Sequence, residues 1–246
     1  MSSALVLGAA GGVGRACVAR LAADGLDVVA VDRNASVHQL PGCVAAFDGD
    51  ATDAALLARA FDACPEPPSV LVHALLGEAR APLAELTAAQ WHTVLDTSLV
   101  SAWQASAELV RRLPPGQPAS LVLIGSVHAH GAAPGMAPYA VAKAGLAALA
   151  RAAAVEWGPL GVRTNVVEPG FVAVDRNAHR WQDPDDRDRI LSAYPLGRLC
   201  RPEEIAEAVA FLASPASSYV NGVCLPVDGG ALAVLPEVNS QPRNGT

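Results

Sequence analysis

The sequence predicts an α/β protein with one seven-stranded parallel sheet, doubly wound, with helices on both faces. Three observations lead there. Seven short apolar runs alternate with longer stretches of helical pattern, and several of those runs are nearly unbroken in Val, Leu and Ile. Unbroken apolar runs are the mark of strands buried on both faces, and repeated strand–helix–strand order sets such strands parallel. The 246 residues, 52% hydrophobic and 17% charged, form a chain long enough for one large core and exclude a disordered protein.

The strand candidates, in order, are Ala4–Leu7, Val28–Asp32, Val44–Phe47, Val70–Ala74, Ser120–Gly125, Val162–Val167 and Val223–Val227. The helical candidates between them are Val13–Asp24, Asp53–Ala63, Ala88–Arg112, Ala137–Gly158 and Pro202–Ala213. Thr52 and Thr87 are expected N-caps, since a hydroxyl accepts a free N–H of the first turn. Pro202 stands where its missing N–H costs nothing, and Glu203 and Glu204 favour the positive helix end. Gly158 and Pro159 should end the Ala-rich helix. The stretch between Asp32 and Val44, which contains Pro41 and Gly42, is too short for a full crossover helix; one or two helical turns or a loop are expected there. No repeat, linker or low-complexity tract divides the chain, so residues 1–246 read as one domain. The polar stretch Asn239–Thr246 should fray.

Charge and cysteine content narrow the function classes. A formal net charge of −7 argues against nucleic acid and against an acidic membrane surface. Five widely spaced cysteines make neither a disulfide framework nor a metal pair, and read as small hydrophobes of a reducing, cytoplasmic compartment. The first apolar run begins at Ala4, so no signal peptide is expected ahead of it. The longest apolar helical stretch carries Lys143, Arg151 and Glu156, so no membrane span is expected.

Residues Gly8-Ala9-Ala10-Gly11-Gly12-Val13-Gly14 follow the first strand and open a helix. Glycine lets the backbone turn sharply and approach a pyrophosphate, and the helix start offers free N–H groups to the anion. Read alone, such a loop is also an ordinary tight turn; its place between strand and helix favours a nucleotide. Asp32 ends the second strand, where a carboxylate accepts bonds from an adenosine ribose and repels a 2′-phosphate. Arg33 follows, suited to stacking on adenine or pairing with a phosphate. In Asp50-Ala51-Thr52-Asp53, Asp50 and the Ala51 backbone are candidates for the adenine edge, while Thr52 or Asp53 caps a helix.

Tyr139 and Lys143 stand at i and i+4, one above the other on one helical face. A lysine charge there is expected to lower the Tyr pKa toward the operating pH. Ser126 ends the apolar strand Leu121–Gly125, at the carboxyl end where open α/β sheets bind ligands. Its hydroxyl is placed to hold a substrate oxygen while Tyr139 moves the proton. A Tyr and a Lys one turn apart are a common surface pair; the strand-end serine and the glycine loop give this pair its meaning.

In these residues the chain resembles the classical short-chain dehydrogenase/reductase family, from Leu5 to Gly230. The resemblance also rests on Asn165-Val-Val-Glu-Pro169-Gly170, on Pro195–Ala206 and on Val227-Asp228-Gly229-Gly230. It implies a single-domain Rossmann fold, an NAD cofactor with NADP possible, and interconversion of a secondary alcohol and a ketone. By the same resemblance Lys143 also holds the nicotinamide ribose, backbone around Pro169, Gly170 and Val172 holds the carboxamide, and Gly8, Gly12, Val13, Gly14 and Ala74 line the cofactor. A homotetramer is implied as well. Ser98 falls where the family carries a fourth catalytic residue, usually Asn. Leu7, His73-Ala74-Leu75-Leu76 and Val174 are further departures from the family pattern. An NADPH-dependent 3-oxoacyl-type reductase using Arg33, and a non-catalytic dinucleotide sensor, are the rival readings.

The remaining polar residues read more plainly. His73 is expected as a packed strand-end histidine. His128 and His130, two apart, do not match a helix-borne metal pair; they should rim the substrate pocket, and no metal is expected. The run Asp183–Arg189 reads as a solvated helix face. The segment 174–200, with Trp181 and Tyr194, lies where the family places its substrate cover.

Overall fold

Each apolar run forms a strand. In the computed structural model, which describes residues 2–235, the strands are β1 Ser3–Leu7, β2 Asp27–Asp32, β3 Cys43–Asp48, β4 Val70–His73, β5 Ala119–Ile124, β6 Val162–Pro169 and β7 Cys224–Val227. They pair in parallel in the order β3-β2-β1-β4-β5-β6-β7. The chain builds outward from β1 to β3 on one side, then returns to lay β4 on the other. This reversal opens a crevice beyond the carboxyl ends of β1 and β4.

Alternating strand residues feed two apolar layers. On one face Val6, Val28, Val72, Val122 and Val167 pack against Cys17, Val18 and Leu21 of α1 (Gly12–Ala23). Ile205, Val209 and Leu212 of a later helix complete that layer. On the other face Leu5, Val29, Leu71 and Leu121 pack against Leu56, Leu57 and Phe61 of α2 (Ala54–Asp62) and against Leu109. Leu123 and Val166 continue this layer beneath Ala102, Leu146 and Ala150. A fully buried leucine contributes about 1.5–3 kcal/mol relative to exposure, so these layers set the register of every strand. The short stretch after Asp32 holds a single 3₁₀ turn, Ala35–Gln39.

Helix ends follow the sequence with two exceptions. Thr87 caps α3 (Ala88–Leu95) in a reciprocal box with Gln90, as expected. At α2, however, Asp53 and not Thr52 is the cap; its carboxylate accepts the Ala55 N–H at 2.8 Å, while Thr52 donates to Asp50. The expected helix Ala88–Arg112 is also not continuous. It runs as α3, then a π turn over Asp96–Val100, then α4 (Ser101–Arg112). The loop after β4 packs against the break: a Cβ on Gly77 would stand 2.9 Å from the Val94 Cα, and the Gly77 N–H is taken by Ser98 Oγ at 2.8 Å.

The long α5 (Ala137–Trp157) passes into a 3₁₀ turn, Gly158–Leu160, and stops at Gly161, whose φ of +81° a side chain would disfavour. Two short helices, α6 (Ala178–Trp181) and α7 (Pro184–Leu191), precede α8 (Pro202–Ala213). The five cysteines are unpaired, and burial pushes the Cys17 thiol up to about 12. The polar stretch Asn239–Thr246 lies outside the described residues. No described helix is long and apolar enough to cross a membrane.

Candidate active site

The glycine loop lies at the crevice. Gly8 takes a φ of +81°, and a Cβ there would meet the Ala74 carbonyl oxygen at 2.7 Å. A Cβ on Gly14 would stand 2.0 Å from Gly8 O, so no side chain fits. Gly11 caps α1 without a side-chain bond, and among the described residues no acceptor claims the N–H groups of Gly12, Val13 or Gly14. An uncapped, positive helix end in a cradle without side chains fits a pyrophosphate. Val174 passes over this cradle, 2.4 Å from where a Gly12 Cβ would be.

Asp32 is held facing the loop. Its Oδ2 accepts the Ala10 N–H and its Oδ1 the Asn34 N–H, each at 2.9 Å. A carboxylate has about four acceptor positions, so two stay open for ribose hydroxyls. Arg33 turns instead to Asp50, at 2.7 Å. Asp50 also takes the Thr52 N–H and hydroxyl. Burial pulls its carboxyl up, but these bonds and Arg33 outweigh it and hold it below the usual range. Ala51 is buried, and Ala74 donates its N–H to Leu7 O at 2.9 Å.

Ser126, Tyr139 and Lys143 come together at the carboxyl end of β5. Ser126 is the second residue past β5; its hydroxyl accepts the His128 N–H at 3.2 Å and acts on the Tyr139 phenol, pulling it down. Lys143 is buried and donates to Ile124 O at 2.6 Å. Burial, reinforced by the charge of Arg176, pushes its ammonium down to about 7. Lys143 is not among the groups that act on the Tyr139 phenol here. Burial holds the Tyr139 phenol above its usual value, and it is Ser126 and Arg176 that pull it back. The lysine nitrogen is 5.6 Å from the ring centroid and is itself close to losing its proton at neutral pH.

Ser98 is fully buried and spends its acceptor on Gly77. His73, also fully buried, lies against the same π turn. Ser101 Oγ donates to Thr97 O at 2.6 Å, so His73 Nε2 must donate to Ser101 Oγ, at 2.8 Å. Among the described residues, the buried His73 Nδ1 has no hydrogen-bond partner. Burial, then the Lys143 charge, pushes this imidazole down to about 3. His128 meets the Tyr139 ring edge to face at 5.3 Å.

Pro169, the last residue of β6, is buried, and beyond it Val172 bridges to Cys200. The segment that follows folds back over this end. Tyr194 Oη accepts the Gly170-adjacent Phe171 N–H at 2.7 Å, and Trp181 Nε1 donates to Val174 O at 3.1 Å. The run Asp183–Arg189 caps and lines the exposed side of α7, with Asp186 held between Arg180 and Arg189.

Sequence reasoning missed two groups. Glu168 is a fully buried carboxylate bound by His130 at 2.7 Å. A charged residue inside an apolar strand run was its signal. Glu78, Arg80 and Arg176 form an ion-pair cluster from two loops. No spacing announces a contact across 98 residues.

Residues 8–231 match the protein-family model described as enoyl-(acyl carrier protein) reductase. The chain is 35% identical over 243 residues to cis-4-hydroxycyclohexanecarboxylate dehydrogenase of Sinomonas cyclohexanicum, covering 94% of this chain and 96% of that one. It is 32% identical over 243 residues to gluconate 5-dehydrogenase of Gluconobacter oxydans, covering 94% and 95%. An Agrobacterium tumefaciens structure solved with bound NADP superposes with a TM-score of 0.86 at 31% identity, covering 95% of this chain and 97% of that one.

Proposed function

The chain belongs to the short-chain dehydrogenase/reductase family and is an NAD(P)-dependent oxidoreductase interconverting a secondary alcohol and a ketone; from that premise we propose that Tyr139 is its general acid/base. When bound, the nicotinamide cofactor exchanges a hydride with the substrate carbon. Ser126 orients the substrate oxygen by a hydrogen bond. The Tyr139 phenol gives that oxygen a proton in reduction and takes one back in oxidation. Lys143 holds the nicotinamide ribose and adds positive charge beside the phenol once the dinucleotide's negative charge favours its protonated form. Gly8, Gly12, Val13 and Gly14 receive the pyrophosphate. Asp32 takes the ribose hydroxyls, which makes NAD the preferred cofactor. Arg33, Asp50 and Ala51 border the adenine, Ala74 the inner ribose, and Pro169, Gly170 and Val172 the carboxamide. Residues 174–200 cover the substrate, a small alcohol or ketone. The enzyme works in the cytoplasm as a homotetramer.

The observation that carries the reading is the Ser126–Tyr139 pair beside a buried lysine, one strand from an uncapped glycine cradle. Tyr139→Phe tests it. Turnover should fall by roughly 10²–10⁴-fold, the usual worth of a positioned acid/base, with dinucleotide affinity unchanged. Near-normal turnover overturns it. The two relatives named above act on hydroxy acids, which makes such acids the first substrates to try.

A further inference from the structure

We infer that Arg80 and Arg176 recognise a substrate carboxylate, so that the preferred substrates are hydroxy and oxo acids. The inference rests on the oxidoreductase reading and adds the chemical class of its substrate.

Two loops bring the pair together. Arg80 lies on the loop after β4, and Arg176 in the turn Asp175–Asn177 after β6. Glu78 bridges them: its Oε1 accepts Arg80 Nε at 2.6 Å and its Oε2 accepts Arg176 Nη1 at 2.5 Å. The cluster therefore has two cations and one anion. Each arginine uses one nitrogen on Glu78, and their side chains stay 60% and 59% exposed. Among the described residues the other nitrogens have no hydrogen-bond partner, and both are free to form the paired N–H···O contacts that match a carboxylate.

The cluster belongs to the reacting end. Ala81, next to Arg80, donates its N–H to Gly135 O at 3.3 Å, just ahead of the helix that carries Tyr139, and Arg176 follows Val174, which packs on Gly12 of the glycine loop. In keeping with this, the charges of Glu78 and Arg176 act on the Tyr139 phenol, those of Arg80 and Glu78 on His128, and that of Arg176 on Lys143. His128 meets the Tyr139 ring edge to face, and among the described residues its buried Nδ1 has no hydrogen-bond partner. Burial, then Arg80, pushes the His128 imidazole below its usual value, so it adds no charge of its own at neutral pH. The three side chains of the cluster together carry one net positive charge, on a chain whose formal net charge is −7. That excess fits one monoanion and steers it in.

Binding and turnover test this together. The probes are cyclohexanecarboxylate against its amide, bound to the enzyme–NADH complex in a calorimeter. For turnover, 4-oxocyclohexanecarboxylate is compared with its methyl ester and with cyclohexanone. A charge-assisted bond to an ion should favour the acid by roughly tenfold or more. Arg80→Gln and Arg176→Gln should each bring the acid-to-ester ratio of kcat/KM close to one, with NADH affinity unchanged. Arg111→Gln, on the remote face of α4, should leave the ratio alone. Equal affinity for acid and amide in the parent enzyme overturns the inference. So does an Arg176 variant that loses NADH affinity while keeping its acid preference, because Arg176 then serves the cofactor. Failure of the oxidoreductase reading looks different: acid, ester and cyclohexanone all stay unturned. The binding comparison still decides the carboxylate in that case.

Discussion

Asp32 and Arg33 are neighbours in the chain but face different partners. Two backbone N–H groups fix Asp32 toward the glycine loop, while Arg33 is drawn off to Asp50. A 2′-phosphate would meet the carboxylate first. NAD(H) is therefore expected to exceed NADP(H) in kcat/KM, and Asp32→Ala to relax that preference; an equal or reversed preference in the parent enzyme would mean Arg33 governs the site. His73 carries a second residue-scale consequence. Its imidazole, ordinarily near 6.5, is pushed down to about 3 by burial. Below pH 6.5 the unfolded chain binds this proton and the folded chain does not. Stability is thus whole above pH 6.5 and is lost as pH falls toward 3, at up to about 1.4 kcal/mol per unit. In His73→Asn the urea midpoint should fall less steeply between pH 6.5 and 4. Equal slopes for the two proteins would contradict this.

The π turn is the element that departs most from the sequence reading. Helical periodicity runs unbroken from Ala88 to Arg112, and nothing in it marks where five residues widen. Its contacts are tertiary: the loop after β4 brings Gly77 close to Val94, and Ser98 answers the Gly77 N–H. Ser98→Ala leaves a buried N–H without its partner, at a cost of about 1–3 kcal/mol. Urea unfolding should show that loss, and turnover should fall less than in Tyr139→Phe. If Ser98→Ala proves as inactive as Tyr139→Phe, the serine acts in the chemistry itself. The strands were legible because burial on both faces writes itself as runs such as Leu121-Val122-Leu123-Ile124. The glycine loop and the Tyr139/Lys143 step were legible because each lies within one turn. The Glu78–Arg80–Arg176 cluster and the Glu168–His130 pair were not, because only the folded sheet brings their loops together.

At the scale of the whole molecule, large apolar side chains stay uncovered on several elements, and two pairs of them bear on assembly. Trp103 of α4 and Val141 of α5 are about half exposed, and Phe211 of α8 and Tyr219 just beyond it are open as well. Apolar surface left on two separate regions suits two sets of self-complementary contacts, and two two-fold axes close a tetramer. Light scattering at micromolar concentration should give four chain masses; a monomeric mass would refute it. The Cys17 thiol, finally, sits inside α1, the helix whose start forms the glycine cradle. A thiol pushed up to about 12 holds almost no thiolate at neutral pH and ignores alkylating reagents while the helix is seated. Its labelling then becomes a stopwatch for the lifting of α1 from the sheet, and a dinucleotide held at the start of that helix, as proposed above, should slow the hand.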